Sequence, residues 1–289
     1  MNLQKAERRK VKIKCMLAGP SGSGKTFSAL LLAFGLCGDW SKIAVIDTEN
    51  ESSNLYAHLG TFNVINILAP FTPEKYSEAI SICESNGVEV IIVDSLTHQW
   101  LYLLEYHSGL SGNSFTNWGK VTPRYDAFTQ KMLQSTCHVV ATSRTKQDYV
   151  LSEKNGKMVP EKVGLKAVQR DGLDYEFTLV FDIDMKNHAN ASKDRTGLFF
   201  NQPTQKISIN TGIIIKDWCN TGSELNSEYI TTRIQECKSI KELLELYETF
   251  PQYKETLKPE YERQKRQVMI NLEVKQLLST QNPLSNGTT

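Results

Sequence analysis

Eight consecutive residues, Gly19, Pro20, Ser21, Gly22, Ser23, Gly24, Lys25 and Thr26, fit GxxxxGK[ST] at every fixed position. Glycines let the backbone curl so that successive N–H groups point at phosphate oxygens, at the positive end of the helix that follows. Lys25 adds a point charge for the β- and γ-phosphates of ATP, and the Thr26 hydroxyl is a ligand for Mg²⁺. Such a loop works with a carboxylate at the end of a buried strand on the Mg²⁺ side. The run Val90-Ile91-Ile92-Val93-Asp94 supplies it in Asp94. Hydrolysis also needs a group that orients or deprotonates the attacking water. Glu49, in Ile46-Asp47-Thr48-Glu49-Asn50, is the candidate. Its alternatives are a solvated loop acid or a ribose-binding acid of a dinucleotide fold, and the lack of GxGxxG argues against the second.

The elements that must hold these residues alternate along the chain. Strands are expected over Ile13–Ala18, Lys42–Asp47, Asn63–Leu68, Val88–Asp94, His138–Ser143 and Tyr175–Asp184, and helices over Lys25–Cys37, Pro73–Ser85, Thr97–His107 and Trp118–Ser135. Five of the strands are apolar nearly throughout, the mark of strands covered on both faces. The fold class is therefore α/β, with a mostly parallel central sheet. Short strands over Gly197–Phe200, Lys206–Ile209 and Gly212–Ile215 should extend it. Residues 223–279 read as a small helical appendage to a core of 1–222, and 280–289, rich in Asn, Ser, Gly and Thr, as a disordered tail.

Composition excludes several classes. The chain has 289 residues, 33 Lys+Arg and 32 Asp+Glu, so it carries no uniformly basic coat, and any polyanion must be met by local charge. The longest apolar run, Ala29–Cys37, is about half of a membrane span. The six cysteines show no CxxC pair and no metal spacing. They read as small buried hydrophobes of a reducing cytoplasm.

Two connections are long. Ser108–Asn117 carries Phe115 and ends just before Trp118. Lys146–Val168 turns at Asn155-Gly156, a hairpin signal. Between Arg144 and Arg170 seven Lys/Arg face three acids, a local excess of four positive charges. Lys146, Lys154, Lys157, Lys162 and Lys166 could follow a phosphate backbone while Tyr149 stacks a base.

The phosphate loop, the segment Ile46-Asp47-Thr48-Glu49-Asn50 and the strand ending at Asp94 together resemble the RecA-like ATPase core, over about residues 10–215. Asp94-Ser95-Leu96-Thr97, Trp118-Gly119 and Lys193-Asp194-Arg195-Thr196-Gly197 are similar to the short phage-encoded members associated with single-strand annealing. The resemblance implies that Glu49 activates water and that Ser143 or Arg144 stands where these proteins carry a γ-phosphate sensor, usually Gln. It implies that the two long connections bind single-stranded DNA. It also implies that Lys193 or Arg195, in a turn between strands, enters the neighbouring subunit's site in a homo-oligomeric ring or filament. The expected function is ATP hydrolysis on single-stranded DNA in recombination or replication, with an annealing or single-strand-binding protein as a further partner. A remodelling or helicase-loader ATPase with a protein client, or a slowly hydrolysing scaffold, are the alternatives.

Overall fold

β-branched, uninterrupted apolar runs make strands that bury both faces, and they form the centre of this molecule. The structure, a computed structural model, describes residues 8–154, 157–222, 227–250 and 253–280, except for the side chains of 147–165 and 275–280. Strands β1 (Lys14–Gly19), β2 (Ile43–Asp47) and β4 (Val90–Asp94) are buried at every position. They join β3 (Asn63–Asn66), β5 (His138–Lys154), β6 (Lys157–Ala167), β7 (Leu179–Ile183) and β8 (Ala189–Asp194) in one sheet. Its order is β3-β2-β4-β5-β1-β7-β8, with β6 paired to β5. The five pairings from β3 to β7 are parallel, and β5–β6 and β7–β8 are antiparallel.

Helices cover both faces, as a parallel sheet requires. One face packs on α1 (Lys25–Cys37), through Leu30, Leu32, Ala33 and Leu36 against Leu17, Val45, Ile92 and Val140. The other packs on α2 (Pro73–Ser85), α3 (Leu96–Ser108) and α4 (Ser114–Leu133), through Tyr76, Leu103, Val121 and Phe128. The carboxyl ends of β1, β2 and β4 therefore open on one edge, where the sequence placed its chemistry.

Several expected elements are corrected. Only 109–113 of the segment Ser108–Asn117 lie outside helix: α3 ends at Ser108, and Asn113 accepts the N–H groups of Phe115 and Thr116 at 2.8 and 3.4 Å and starts α4 at Ser114. The first part of Tyr175–Asp184 does not pair in the sheet; the short helix α5 (Leu173–Glu176) precedes β7. The strand expected over Gly212–Ile215 lies inside helix α6 (Ile209–Asn220). Its Ile213-Ile214-Ile215 run favours a strand locally, but close packing of two glycines decides. A Cβ on Gly35 of α1 would stand 2.7 Å from the Gly212 Cα and 2.1 Å from the Ile209 carbonyl, so the two helices meet backbone to backbone. Gly197–Phe200 is a turn segment held by Asp194, which accepts the Gly197 and Phe199 N–H groups at 3.1 and 2.8 Å. Of the expected strand at Lys206, a single bridge remains one residue earlier, Gln205 to Ala189.

The chain divides into two compact units. One spans Val11–Asn220. The other holds the described residues of 1–10 and 221–289, so Arg8, Arg9 and Lys10 group with the helical part. Helices α7 (Ser227–Glu236), α8 (Ile240–Thr249) and α9 (Lys258–Thr280) bury Ile230, Ile234, Leu243, Leu246, Phe250 and Val268 together. Arg9 lies over the rings of Tyr229 and Phe250, 5.6 and 5.7 Å from their centroids. The tail 281–289 lies outside the described residues, as does the Asn155-Gly156 turn. No helix among the described residues is long and apolar enough to cross a membrane.

The start of β5 carries a titratable group inside the core. His138 accepts the Ile13 N–H on Nδ1 at 3.1 Å, and burial, reinforced by Lys12 and Lys14, holds its pKa down to about 3. The unfolded chain binds this proton near the ordinary value of 6.5 and the folded chain does not. This contribution to stability is therefore present above pH 6.5 and is lost as pH falls from 6.5 towards 3. His138→Gln, which cannot take up the proton, should flatten the fall in urea midpoint over that window. An unchanged slope would contradict a neutral, buried His138.

Candidate active site

The phosphate loop runs from the end of β1 into α1. Gly22 and Gly24 have φ of 81° and 79°, a region that favours glycine. Gly24 caps α1, and a Cβ there would stand 2.8 Å from the Asn187 amide. Asn187, in the β7–β8 turn, donates to the Ser23 carbonyl at 2.9 Å and braces the loop from outside. The Lys25 ammonium lies against the loop, donating to the Gly19 and Pro20 carbonyls at 2.9 and 2.8 Å. Burial pulls its pKa below the ordinary lysine value, although Asp94 and Glu49 oppose this.

Opposite the loop, Thr26 donates to Asp94 Oδ2 at 2.5 Å and Thr142 to Oδ1 at 2.5 Å. Asp94 is buried and its carboxyl is pushed up, first by that burial, against these two hydrogen bonds. The sequence offered Thr26 and Asp94 but not Thr142. Thr142 is found only by registering β5 against β4, where Val93 pairs Ala141 and the next residues come side by side.

Asp47 ends β2 and accepts the N–H groups of Glu49 and Ser53 at 2.7 and 2.9 Å. This turn presents Glu49 to the same edge. Ser95 donates to Glu49 Oε1 at 3.1 Å, and His98 Nε2 lies 4.0 Å from that oxygen. His98 is fixed by Thr48 Oγ1 at Nδ1, 2.8 Å away, and by stacking on Phe71 at 5.0 Å. Burial lowers its pKa. Arg144 grips both Glu49 oxygens, through Nε at 3.1 Å and through Nη2. Its own N–H donates to Thr97 Oγ1 at 2.9 Å.

The sensor position offered by sequence as Ser143 or Arg144 is separated by strand alternation. Thr142 and Arg144 share the edge with Asp94 and Glu49. Ser143 is buried on the other side of the strand and donates to the Arg144 carbonyl at 3.2 Å. Lys193 lies within β8, not in a turn, and Arg195 directly follows that strand. Both donate to the Tyr175 carbonyl, Arg195 at 3.0 Å. Asp194, between them, pairs Leu179 at the start of β7, whereas the phosphate loop lies by Ile183 at its end. The length of β7, about 13 Å at the usual rise per residue, therefore separates them from their own chain's loop.

The hairpin expected over Lys146–Val168 is present as β5 and β6, which pair from Thr145↔Ala167 out to Lys154↔Lys157. The side chains of Tyr149, Lys154, Lys157 and Lys162 lie outside the described residues. At the hairpin's root Lys146 is exposed and Lys166 pairs with Asp171 at 2.8 Å. A cleft of about 680 Å³ runs between this root and α3 and α4, lined by Trp100, Phe115, Trp118, Lys146, Lys166 and Arg170 among others. Trp118 stacks on His107 at 4.2 Å, and Phe115 is 87 % exposed.

The residues present fit a nucleotide triphosphate with Mg²⁺. The buried Ser23 hydroxyl, inside the loop, has no hydrogen-bond partner among the described residues. Thr26 and Asp94 form a hard oxygen pair of the kind Mg²⁺ takes. A depressed ammonium and a raised carboxyl mark two buried charges that an anion and a cation would compensate. A protein-family model described as an AAA domain matches residues 11–211. The chain belongs to this AAA-domain family. Its core is a nucleotide-binding domain of the P-loop ATPase type, for which a divalent metal accompanies the nucleotide. The search of curated proteins gave no match.

Proposed function

We propose that this AAA-domain protein is a RecA-like ATPase that hydrolyses ATP while bound to single-stranded DNA, in phage recombination or replication. Thr26 and Asp94 would hold Mg²⁺, which screens phosphate charge. Lys25 binds the terminal phosphates. Glu49 takes the proton of the water that attacks the γ-phosphorus as the bond to the β-phosphate oxygen breaks.

The observation that carries the DNA reading is the cleft whose lining includes the exposed Phe115 with Trp100 and Trp118, together with Lys146, Lys166 and Arg170. Aromatic faces that stack bases, beside cations that follow a backbone, are what a sequence-tolerant single-strand site needs. The cleft adjoins the hairpin that continues β5 from Arg144, so the DNA reading and the phosphate site share one strand. Lys193 and Arg195, being remote from their own loop, are offered to a neighbouring copy in a ring or filament. The unit containing α7–α9 is the candidate surface for an annealing or single-strand-binding protein, and the working compartment is the cytoplasm.

Lys154→Ala with Lys157→Ala should weaken single-strand binding for every sequence tested. The slope of log affinity against log salt should flatten by about 0.7 for each phosphate that is no longer neutralised. ATP turnover without DNA should persist. Unaltered affinity and unaltered slope would remove the hairpin from the DNA site and favour a protein client.

A further inference from the structure

The carboxylate assigned to water activation is not free to act in this arrangement. Arg144 engages both oxygens of Glu49 in a fork, and Ser95 occupies one of them as well. Three of the carboxylate's roughly four acceptor sites are thus directed at donors, and the guanidinium stands where a water would have to approach. The same guanidinium shares the sheet edge with Thr142, whose hydroxyl reaches Asp94, and so lies beside the place of the terminal phosphate. Arg144 thus has two anions to choose between, Glu49 and the γ-phosphate.

We propose that Arg144 is a positioning residue that locks Glu49 until the terminal phosphate of ATP draws the guanidinium away. ADP, which lacks that phosphate, leaves the lock closed. The two anions compete for one fork, so triphosphate recognition and release of the base are a single exchange. Ser95 and His98 keep Glu49 in place afterwards, since both reach it from α3 and its cap independently of Arg144. The pair is part exposed, 39 % for the Arg144 side chain and 23 % for Glu49, so it is weak enough for a phosphate to displace. The proposal rests on the ATPase reading of the site.

A double-mutant cycle on nucleotide affinity tests it with the full-length protein, a non-hydrolysable ATP analogue and ADP, both with Mg²⁺. Glu49→Gln frees Arg144 and should tighten the analogue about fivefold, the upper range for a part-exposed ion pair, with ADP unchanged. In an Arg144→Gln background the same change should give no gain, because there is no fork left to release. Simple removal of repulsion between Glu49 and phosphate would give the same gain in both backgrounds, and that additivity overturns the lock. No gain in either background overturns it too. Arg144→Lys, which keeps the charge but loses the fork, should show a reduced gain and provides a second variant should Arg144→Gln fold poorly. Unchanged ADP affinity in each variant reports an intact fold. A wild-type chain that binds neither nucleotide is a different result and contradicts the ATPase reading itself.

Discussion

Lys25→Ala should abolish measurable ATP turnover and weaken ATP by about 100-fold or more. The ammonium is the one loop side chain with a full positive charge, and charge-assisted hydrogen bonds to two phosphates are each worth about 1.5–3 kcal/mol. It lies in a buried setting, bonded to the Gly19 and Pro20 carbonyls, so solvent screens it little. Titration calorimetry reads the affinity. A thermal melt gives the same answer by linkage, since the rise in Tm with Mg-ATP should vanish in the variant. Retained affinity within a few-fold of wild type would place the phosphates elsewhere.

Glu49→Gln should separate binding from chemistry. Only the chemical step needs the carboxylate, so turnover should fall by about 10²–10⁴-fold while ATP remains bound at least as tightly as in the wild type. The amide can still accept the Ser95 hydroxyl that lies 3.1 Å from Oε1, so the local geometry should persist. Rapid-quench measurement of a single turnover isolates the step. Hydrolysis at the wild-type rate would assign water activation to another group.

The phosphate loop and Asp94 are legible in sequence because their chemistry is local: consecutive residues make the loop, and an apolar run delivers the carboxylate to its end. Glu49 is legible for the same reason, two residues past a buried strand that ends at Asp47. Thr142, His98 and Asn187 are not, because each joins the site through strand register or through a turn distant in sequence, and Ser95, although adjacent to Asp94, meets Glu49 only across the β2–β4 pairing. The choice between Ser143 and Arg144 needs only strand alternation, but alternation must be anchored to a known face, and Asp94 provides that anchor once β4 and β5 are paired. The helix at Ile209–Asn220 reads as a strand in sequence because three isoleucines favour a strand locally. The approach of Gly35 to Gly212 that selects the helix joins two segments far apart in the chain. Asn113 sits in a stretch with loop composition, yet an Asn ahead of a helical stretch is an N-cap signal that the sequence does contain.

If β5 joins the phosphate chemistry to single-stranded DNA, steady-state ATP turnover must respond to that DNA. The wild-type chain should hydrolyse ATP faster when single-stranded DNA is present. The increase should shrink as salt rises, and it should be reduced in Phe115→Ala and in the Lys154, Lys157 double variant. A rate that is the same with and without single-stranded DNA, in a chain that turns over ATP and loses that turnover on Glu49→Gln, would contradict it.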